Sequence, residues 1–335
     1  MKDQINAQNQ LVSVIIPTFR RPLEVRIAAQ SALAQTWHEI EVIVVSDGPD
    51  PATRAALAGM DERLVYLELP ENVGPAAARN AGVAISHGEW LTFLDDDDLM
   101  LPAKVEVEMR LADPAQPQRM IACRTLYRRK HHEDIWPTRP IAPGEDIADY
   151  VLIRPSLLGR PGVIPIQTLL VHRSIVEQVP FSTHADHEDW AWLLEAWHLA
   201  GARVVFAWEA LVIYNIATET ESRSRRMNWA ESVQWAQTYR FWISDRAFCS
   251  FLCTKAALKA KRAGDWDGLR QIARLMWPCH PGLLAWAFLL GTALLPGDLL
   301  AAAWKRSLRS AQRNASDRPM DLGDASKPVA SGQGI

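Results

Sequence analysis

Four short runs rich in Val and Ile, apolar on both faces and separated by helix-like stretches, set the narrowest limit on what this chain can become. Residues 12–16, 41–46, 63–69 and 90–94 read as strands. Residues 22–36, 51–60 and 75–86 lie between them, each opening at or near a proline whose fixed φ and missing N–H suit a first helical turn. A strand buried on both faces belongs in a parallel sheet covered by helices, and such sheets bind ligands at the carboxyl ends of their strands. With 335 residues and 48% hydrophobic content, the chain is long enough for one large α/β domain plus an appendage.

The residues with chemistry gather where those strands end. Thr18, Phe19 and Arg20 follow the first strand, Asp47 and Gly48 the second, Asn72 and Gly74 the third, and Asp95, Asp96, Asp97 and Asp98 the fourth. Four adjacent carboxylates repel one another and cannot be buried unpaired, so the run calls for a cation. Oxygen-loving divalent ions, Mg²⁺ or Mn²⁺, are the natural candidates, and a metal held by one or two carboxylates normally takes phosphates as its other ligands. The plainer alternative is a solvated acidic turn capping a helix that begins near Leu101.

Beyond a helix at 102–113, the pattern predicts a strand at 120–127, an irregular proline-rich loop over 131–165, a strand at 168–172 and a short helix to Val179. The sequence His187-Glu188-Asp189-Trp190 then opens an apolar helix through Leu199, and two closing strands follow at 204–207 and 211–214. From about Trp229 the pattern is helical, with amphipathic segments at 229–251 and 254–277. These readings divide the chain into a polar segment 1–10, an α/β domain 11–218 with halves 11–113 and 114–218, a helical region 219–313, and a tail 314–335 whose Gly, Ser, Pro and Asp content suggests disorder.

The net charge of −3 hides a division. Residues 219–313 carry 15 Lys and Arg against 7 Asp and Glu, whereas residues 1–218 carry 19 against 29. Residues 275–297 contain no Asp, Glu, Lys or Arg but are interrupted by Pro278, Pro281 and Pro296, and their uninterrupted apolar core of 13 residues falls short of the roughly 20 that a membrane span needs. Lys305, Arg306, Arg309 and Arg313 follow at helical spacing, so residues 278–313 suit contact with an anionic membrane surface; packing of 278–304 on the rest of the protein is the alternative. No signal peptide is visible in the polar first ten residues, which points to a cytoplasmic protein, peripheral on the inner face of a membrane if that contact forms. The scattered Cys123, Cys249, Cys253 and Cys279 lack zinc spacing and read as free thiols.

Five segments together resemble the successive motifs of family 2 glycosyltransferases of the GT-A fold. They are Val12-Ser13-Val14-Ile15-Ile16-Pro17-Thr18-Phe19-Arg20-Arg21-Pro22; Val44-Val45-Ser46-Asp47-Gly48; Asn72-Val73-Gly74-Pro75-Ala76-Ala77-Ala78-Arg79-Asn80-Ala81-Gly82; Phe93-Leu94-Asp95-Asp96-Asp97-Asp98; and Glu188-Asp189-Trp190. They occur in order and cover residues 11 to about 215. The resemblance implies an inverting, metal-dependent transfer of a sugar from a nucleoside-diphosphate sugar to a hydroxyl of a glycan or lipid-linked acceptor, in cell-surface polysaccharide or glycolipid synthesis, with no nucleic acid partner.

By the same resemblance, Pro17, Thr18, Phe19, Arg20, Asp47, Asn72, Gly74, Arg79, Asp95 and Asp96 surround the nucleotide sugar, and Asp47 reads the base edge. Asp97 is the direct metal ligand, with Asp95 near the ribose or the metal. Asp189 is the general base and Glu188 its alternative; Trp190 is a floor under a sugar ring, as its large apolar face suits. The chain departs from the pattern after the last core strand, where relatives carry a histidine and this sequence reads Asn215-Ile216-Ala217-Thr218; Arg223, Arg225 or Arg226 are candidates to take over phosphate contact. Two other readings share this fold: a nucleotide-sugar-binding protein without turnover, and a sugar-phosphate nucleotidyltransferase, which would need a Gly-rich basic loop after the first strand. A dehydrogenase is a weaker reading still, because GxGxxG is absent from the first strand-helix turn.

Overall fold

The computed structural model describes residues 10–129, 132–157, 159–182, 187–215 and 228–295. Its centre is a mixed sheet of nine strands among the described residues: β1 (Val12–Thr18), β2 (Ile40–Ser46), β3 (Leu64–Glu68), β4 (Trp90–Phe93), β5 (Leu99–Met100), β6 (Arg119–Arg129), β7 (His132–Trp136), β8 (Leu169–His172) and β9 (Arg203–Asn215). The order is β3-β2-β1-β4-β8-β6-β9-β5, with β7 paired to β6. Strands β3, β2, β1 and β4 are mutually parallel, as two-sided apolarity predicts. Strand β8 then runs antiparallel to both β4 and β6, and joins the N-terminal half to the other.

Alternate residues of β1 feed two cores. Val12, Val14 and Ile16 pack with Val25, Ala28 and Ala29 of α1 (Pro22–Leu33) on one face, and Ile15 packs with Leu91, Phe93 and Val83 on the other. Helix α3 (Pro75–Ile85) lies tightly against the sheet: a Cβ at Gly82 would sit 2.6 Å from Cγ2 of Ile15. That close approach fixes the start of α3, which carries Gly74 and Arg79, against the end of β1. Helix α2 (Pro51–Leu57) is capped by Asp50, whose side chain accepts from the Thr53 amide.

Several elements depart from the sequence pattern. The helix expected over 102–113 is confined to α4 (Lys104–Met109). The proline-rich stretch contains strand β7 and helix α5 (Ile147–Leu152); β7 forms a hairpin with β6, and Asp146 caps α5 through the Ala148 amide. The two closing strands are one, β9, whose pairing with β6 jumps from Cys123↔Ala207 to Arg124↔Ala210 and Thr125↔Val212. A bulge at 208–209 accounts for the break in apolarity that separates the two expected strands. Short helix α6 (Arg173–Gln178) precedes α7 (Glu188–Leu199).

The C-terminal helices are α8 (Trp229–Thr238), α9 (Asp245–Phe251), a π-helical stretch Leu252–Ala256 running into α10 (Ala257–Arg262), α11 (Trp266–Met276) and α12 (Leu283–Leu294). A capping box between Asn228 and Glu231 starts α8. Val233, Phe251, Ile272 and Leu289 belong to the same core as Phe93 and Trp192, so these helices share the interior of the α/β part. Helix α12 buries Leu289 and Thr292 while Leu283, Leu290 and Leu294 face outward. No helix among the described residues is long and apolar enough to cross a membrane. The boundary drawn at 218/219, nearly all of the first segment, the tail and the basic residues 305–313 lie outside the described residues.

Behind β4, Lys104 and Glu108 of α4 form an ion pair at 2.7 Å with neither side chain exposed to solvent, and Lys104 also donates to Thr92 Oγ1 at 2.9 Å. Burial outweighs the neighbouring ammonium and lifts the Glu108 carboxyl to about 7. Removing one partner leaves the other charge buried, so Lys104→Met should cost about 3–5 kcal/mol, whereas Lys104→Met combined with Glu108→Leu should be close to neutral. Because the folded-state value lies above the ordinary one, the stability tied to Glu108 is complete below about 4.5 and is lost as pH rises through 7. Urea unfolding at pH 5 and pH 8 should therefore show the native protein losing stability relative to the double variant.

Candidate active site

The turns after β1, β2, β3 and β4 converge on one cleft at the carboxyl edge of the parallel strands. Pro17 and Thr18 end β1 and are buried, while Phe19 and Arg20 are exposed, with the Arg20 guanidinium 5.0 Å from the Phe19 ring centroid. Asp47 is buried at the end of β2 and receives the Val73 and Gly74 amides at 2.7 and 2.9 Å. Gly74 has φ +95° and Gly48 φ +114°, conformations that a side chain would strain. Asp47 thus ties two turns into one wall, and Asn72 is exposed on it. Asp47→Asn replaces one accepting oxygen with a donor facing an amide; it should cost about 1–3 kcal/mol and raise amide exchange at residues 73–74.

The acidic run is divided among different partners. Asp95 pairs with Arg79 at 2.8 Å; Asp96 accepts from Thr18 Oγ1 at 2.8 Å and pairs with Arg21 at 2.9 Å; Asp97 pairs with the same Arg21 nitrogen at 2.9 Å; Asp98 is buried and accepts from Gln167 Nε2 at 2.7 Å. Burial raises Asp96 to about 6 against the opposing effects of Thr18 and Arg21. Asp95 and Asp97 keep 32% and 34% of their side-chain surface open.

The first turn of α7 approaches from the other half of the sheet. Arg79 is almost wholly buried, and its Nη1 stands 3.8 Å from Glu188 Oε2 and 3.9 Å from Asp189 Oδ1 while its Nη2 holds Asp95. One guanidinium therefore joins the acidic run to α7. Burial raises the Asp189 carboxyl, Arg79 opposes the shift and Asp95 adds to it. Asp189 is the more open of the pair, at 39% against 14% for Glu188. Trp190 points to the C-terminal helices, stacked on His187 with centroids 5.1 Å apart and close to Trp235 and Phe251.

Three further residues belong to this cleft. Arg21 lies inside a quoted segment yet pairs with two of its carboxylates. Tyr214, at the end of β9, is within electrostatic reach of Asp98, Asp95, Asp97 and Asp189; together with burial, these raise its phenol above the ordinary range. Gln167, on the buried turn before β8, fixes Asp98. Tyr214 closes the strand next to the place where the histidine was expected, which is the one sequence signal pointing to it. Arg223, Arg225 and Arg226 lie outside the described residues.

Carboxylates outnumber the guanidiniums paired with them in this cleft, and Asp95 and Asp97, more open than Asp96 and the buried Asp98, offer hard oxygen donors. Among the described residues no three His, Cys, Asp or Glu side chains form a ready ligand set. One or two carboxylates with the remaining positions filled by substrate phosphates is the usual arrangement for Mg²⁺, so the donor set fits such an ion.

A mixed sheet with a parallel N-terminal half, an acidic turn after the fourth strand and an acidic helix start facing it defines a GT-A glycosyltransferase fold. Solved structures agree: TarS of S. aureus in complex with UDP-GlcNAc superposes with a TM-score of 0.57 at 14% identity, covering 91% of each chain. The mannosyltransferase PcManGT of Pyrobaculum calidifontis in complex with GDP-Man and Mn²⁺ gives 0.55 at 17%, covering 92% of this chain and 87% of that one. Residues 13–177, just under half of the chain, match the model described as glycosyl transferase family 2. An uncharacterized glycosyltransferase of Rickettsia typhi is 37% identical over 106 residues, 32% of this chain and 33% of its own. The succinoglycan biosynthesis protein ExoO of Rhizobium meliloti is 35% identical over 108 residues, 32% of this chain and 31% of its own. The chain thus spans about one third of the length of these two curated relatives.

Proposed function

We propose that this protein transfers a sugar from a nucleoside-diphosphate sugar to a hydroxyl of a glycan or lipid-linked acceptor, with inversion at the anomeric carbon, in the assembly of a cell-surface polysaccharide or glycolipid. The observation that carries the reading is the Arg79 bridge, which brings Asp95 and Asp189 from opposite halves of the sheet to one guanidinium. The similar proteins favour it as well: two of the similar structures hold sugar nucleotides, one with Mn²⁺, and ExoO is a succinoglycan biosynthesis protein.

In this reading the β1, β2 and β3 turns receive the nucleotide, with Asp47 and the Gly74 amide at the base edge and Thr18, Phe19 and Arg20 beside it. Asp97 and Asp95 would hold Mg²⁺ or Mn²⁺, which when bound neutralises charge on the departing diphosphate. Arg79 restrains Asp95 and favours the ionised form of Asp189 against the upward effect of burial. Asp189 accepts the proton of the acceptor hydroxyl as it attacks C1 from the face opposite the diphosphate, and a single displacement of this kind inverts the configuration. Outward-facing Leu283, Leu290 and Leu294 on α12 suit contact with a membrane surface beside a lipid-linked acceptor.

Incubating the protein with Mn²⁺ and a panel of UDP-, GDP- and dTDP-sugars should release nucleoside diphosphate from one of them. Binding without release for every donor and acceptor tried would favour a non-catalytic sugar-nucleotide receptor instead.

A further inference from the structure

The longest C-terminal helical run is α-helical through Asp245–Phe251, π-helical through Leu252–Ala256 and α-helical again through Ala257–Arg262. A π-helical turn within an α-helix re-aims the side chains it carries and is found mostly where function needs them. Lys255 lies on this stretch. Its Nζ stands 5.1 Å from the ring centroid of Trp190, the residue after Asp189, and no hydrogen bond or ion pair among the described residues engages it.

More positive charge surrounds it. Arg160, Arg154 and Lys259 are within electrostatic reach of Lys255. The Arg160 guanidinium lies 4.7 Å from the Trp136 ring centroid and that of Arg154 4.7 Å from Phe288, so aromatic faces hold both in place. Lys259 donates to Ser232 Oγ at 2.6 Å, and the same oxygen pairs with His187 Nε2 at 3.0 Å. Burial, then Arg160, Arg154 and Lys259, bring the Lys255 ammonium down to about 8. A half-buried ammonium in such surroundings is stabilised by an arriving anion, as the acidic run is by an arriving cation.

We propose that Lys255, with Arg160 within electrostatic reach, forms an anion subsite next to Trp190 that holds a phosphate group carried by the acceptor. The proposal rests on the reading of the cleft as a glycosyltransferase site and narrows its acceptor to phosphate-bearing molecules. Trp190, on which Lys255 lies, follows Asp189 directly on α7, so in this proposal the held phosphate brings the acceptor to the helix that carries the base. A lipid-borne phosphate and a phosphodiester within a polymer present the same chemistry to Lys255.

The test is thermal unfolding of the full chain saturated with Mg²⁺ and nucleoside diphosphate, so that added phosphate cannot act through the donor site, against a potassium chloride control. Inorganic phosphate should raise the midpoint of the native protein and of Lys255→Arg, and its affinity should fall at least about tenfold, or about 1.4 kcal/mol, in Lys255→Met. No rise in the native protein, or an equal rise in Lys255→Met, overturns the subsite. Lys255→Arg guards against a mere folding defect. A polyprenyl phosphate in micelles and a short dialkyl phosphodiester then identify the source, the tighter binder naming it. Should nucleoside diphosphate itself give no shift, the glycosyltransferase reading fails; the phosphate titration on the unliganded chain still decides the subsite.

Discussion

Asp189→Asn should lower kcat on the order of 1,000-fold while leaving donor binding intact. The substitution keeps the shape of the side chain and removes only its capacity to take a proton, and a positioned general base contributes roughly 10²–10⁴ in rate. Because the Asp189 carboxyl is raised by burial and by Asp95, the acid limb of kcat/KM should lie above the usual carboxylate range. Glu188→Gln should have a much smaller effect, since Glu188 is the less exposed of the two. Single-turnover measurements across pH 4–8 on both variants separate the roles; equal losses, or an Asp189→Asn enzyme of native rate, would move the base elsewhere.

Arg79→Met should damage both stability and turnover. The guanidinium is nearly inaccessible and faces Asp95, Glu188 and Asp189, so its removal leaves three carboxylates repelling across the cleft. Breaking a fully buried pair costs about 3–5 kcal/mol; the partial solvation of Asp95 and Asp189 places this case near 3. Asp189 loses the cation that opposes its upward shift, so the acid limb of whatever activity remains should move to higher pH. Urea unfolding and a pH profile of the variant check the two effects independently, and an unchanged profile would show that Arg79 does not act through Asp189.

The parallel half of the sheet was legible because Val12, Val14, Ile15 and Ile16, and their counterparts on β2 and β4, are apolar on both faces, a pattern that only a covered sheet satisfies. Helix α5 and strand β7 were hidden because their neighbourhood is rich in proline, which signals irregularity locally while long-range pairing with β6 and an Asp146 cap impose order. The bulge in β9 was invisible for a related reason: the interruption at 208–209 reads as a turn unless the partner strand is known.

Within the candidate site, the acidic run and Glu188-Asp189 announced themselves by charge at the ends of apolar segments. The sequence points to Arg79 as a contact to the nucleotide, yet its guanidinium faces the carboxylates of Asp95 and, more than 90 residues further on, of Glu188 and Asp189. Arg21, Tyr214 and Gln167 acquire their roles only from what folding sets opposite them, and no local spacing encodes that. Lys255 is the extreme case, since its neighbours come from α5's flank, α7 and α10, and it sits on a π-helical stretch that the amphipathic pattern of 254–277 does not reveal.

Electron paramagnetic resonance of Mn²⁺, titrated with nucleoside diphosphate in the native protein, Asp97→Asn and Asp189→Asn, tests most directly whether one cleft both grips the donor and activates the acceptor. Nucleotide-dependent Mn²⁺ binding should vanish in Asp97→Asn and persist in Asp189→Asn, whose turnover alone is lost. Binding that survives in Asp97→Asn, or disappears in Asp189→Asn with the fold intact, would contradict the division of labour between the two carboxylates.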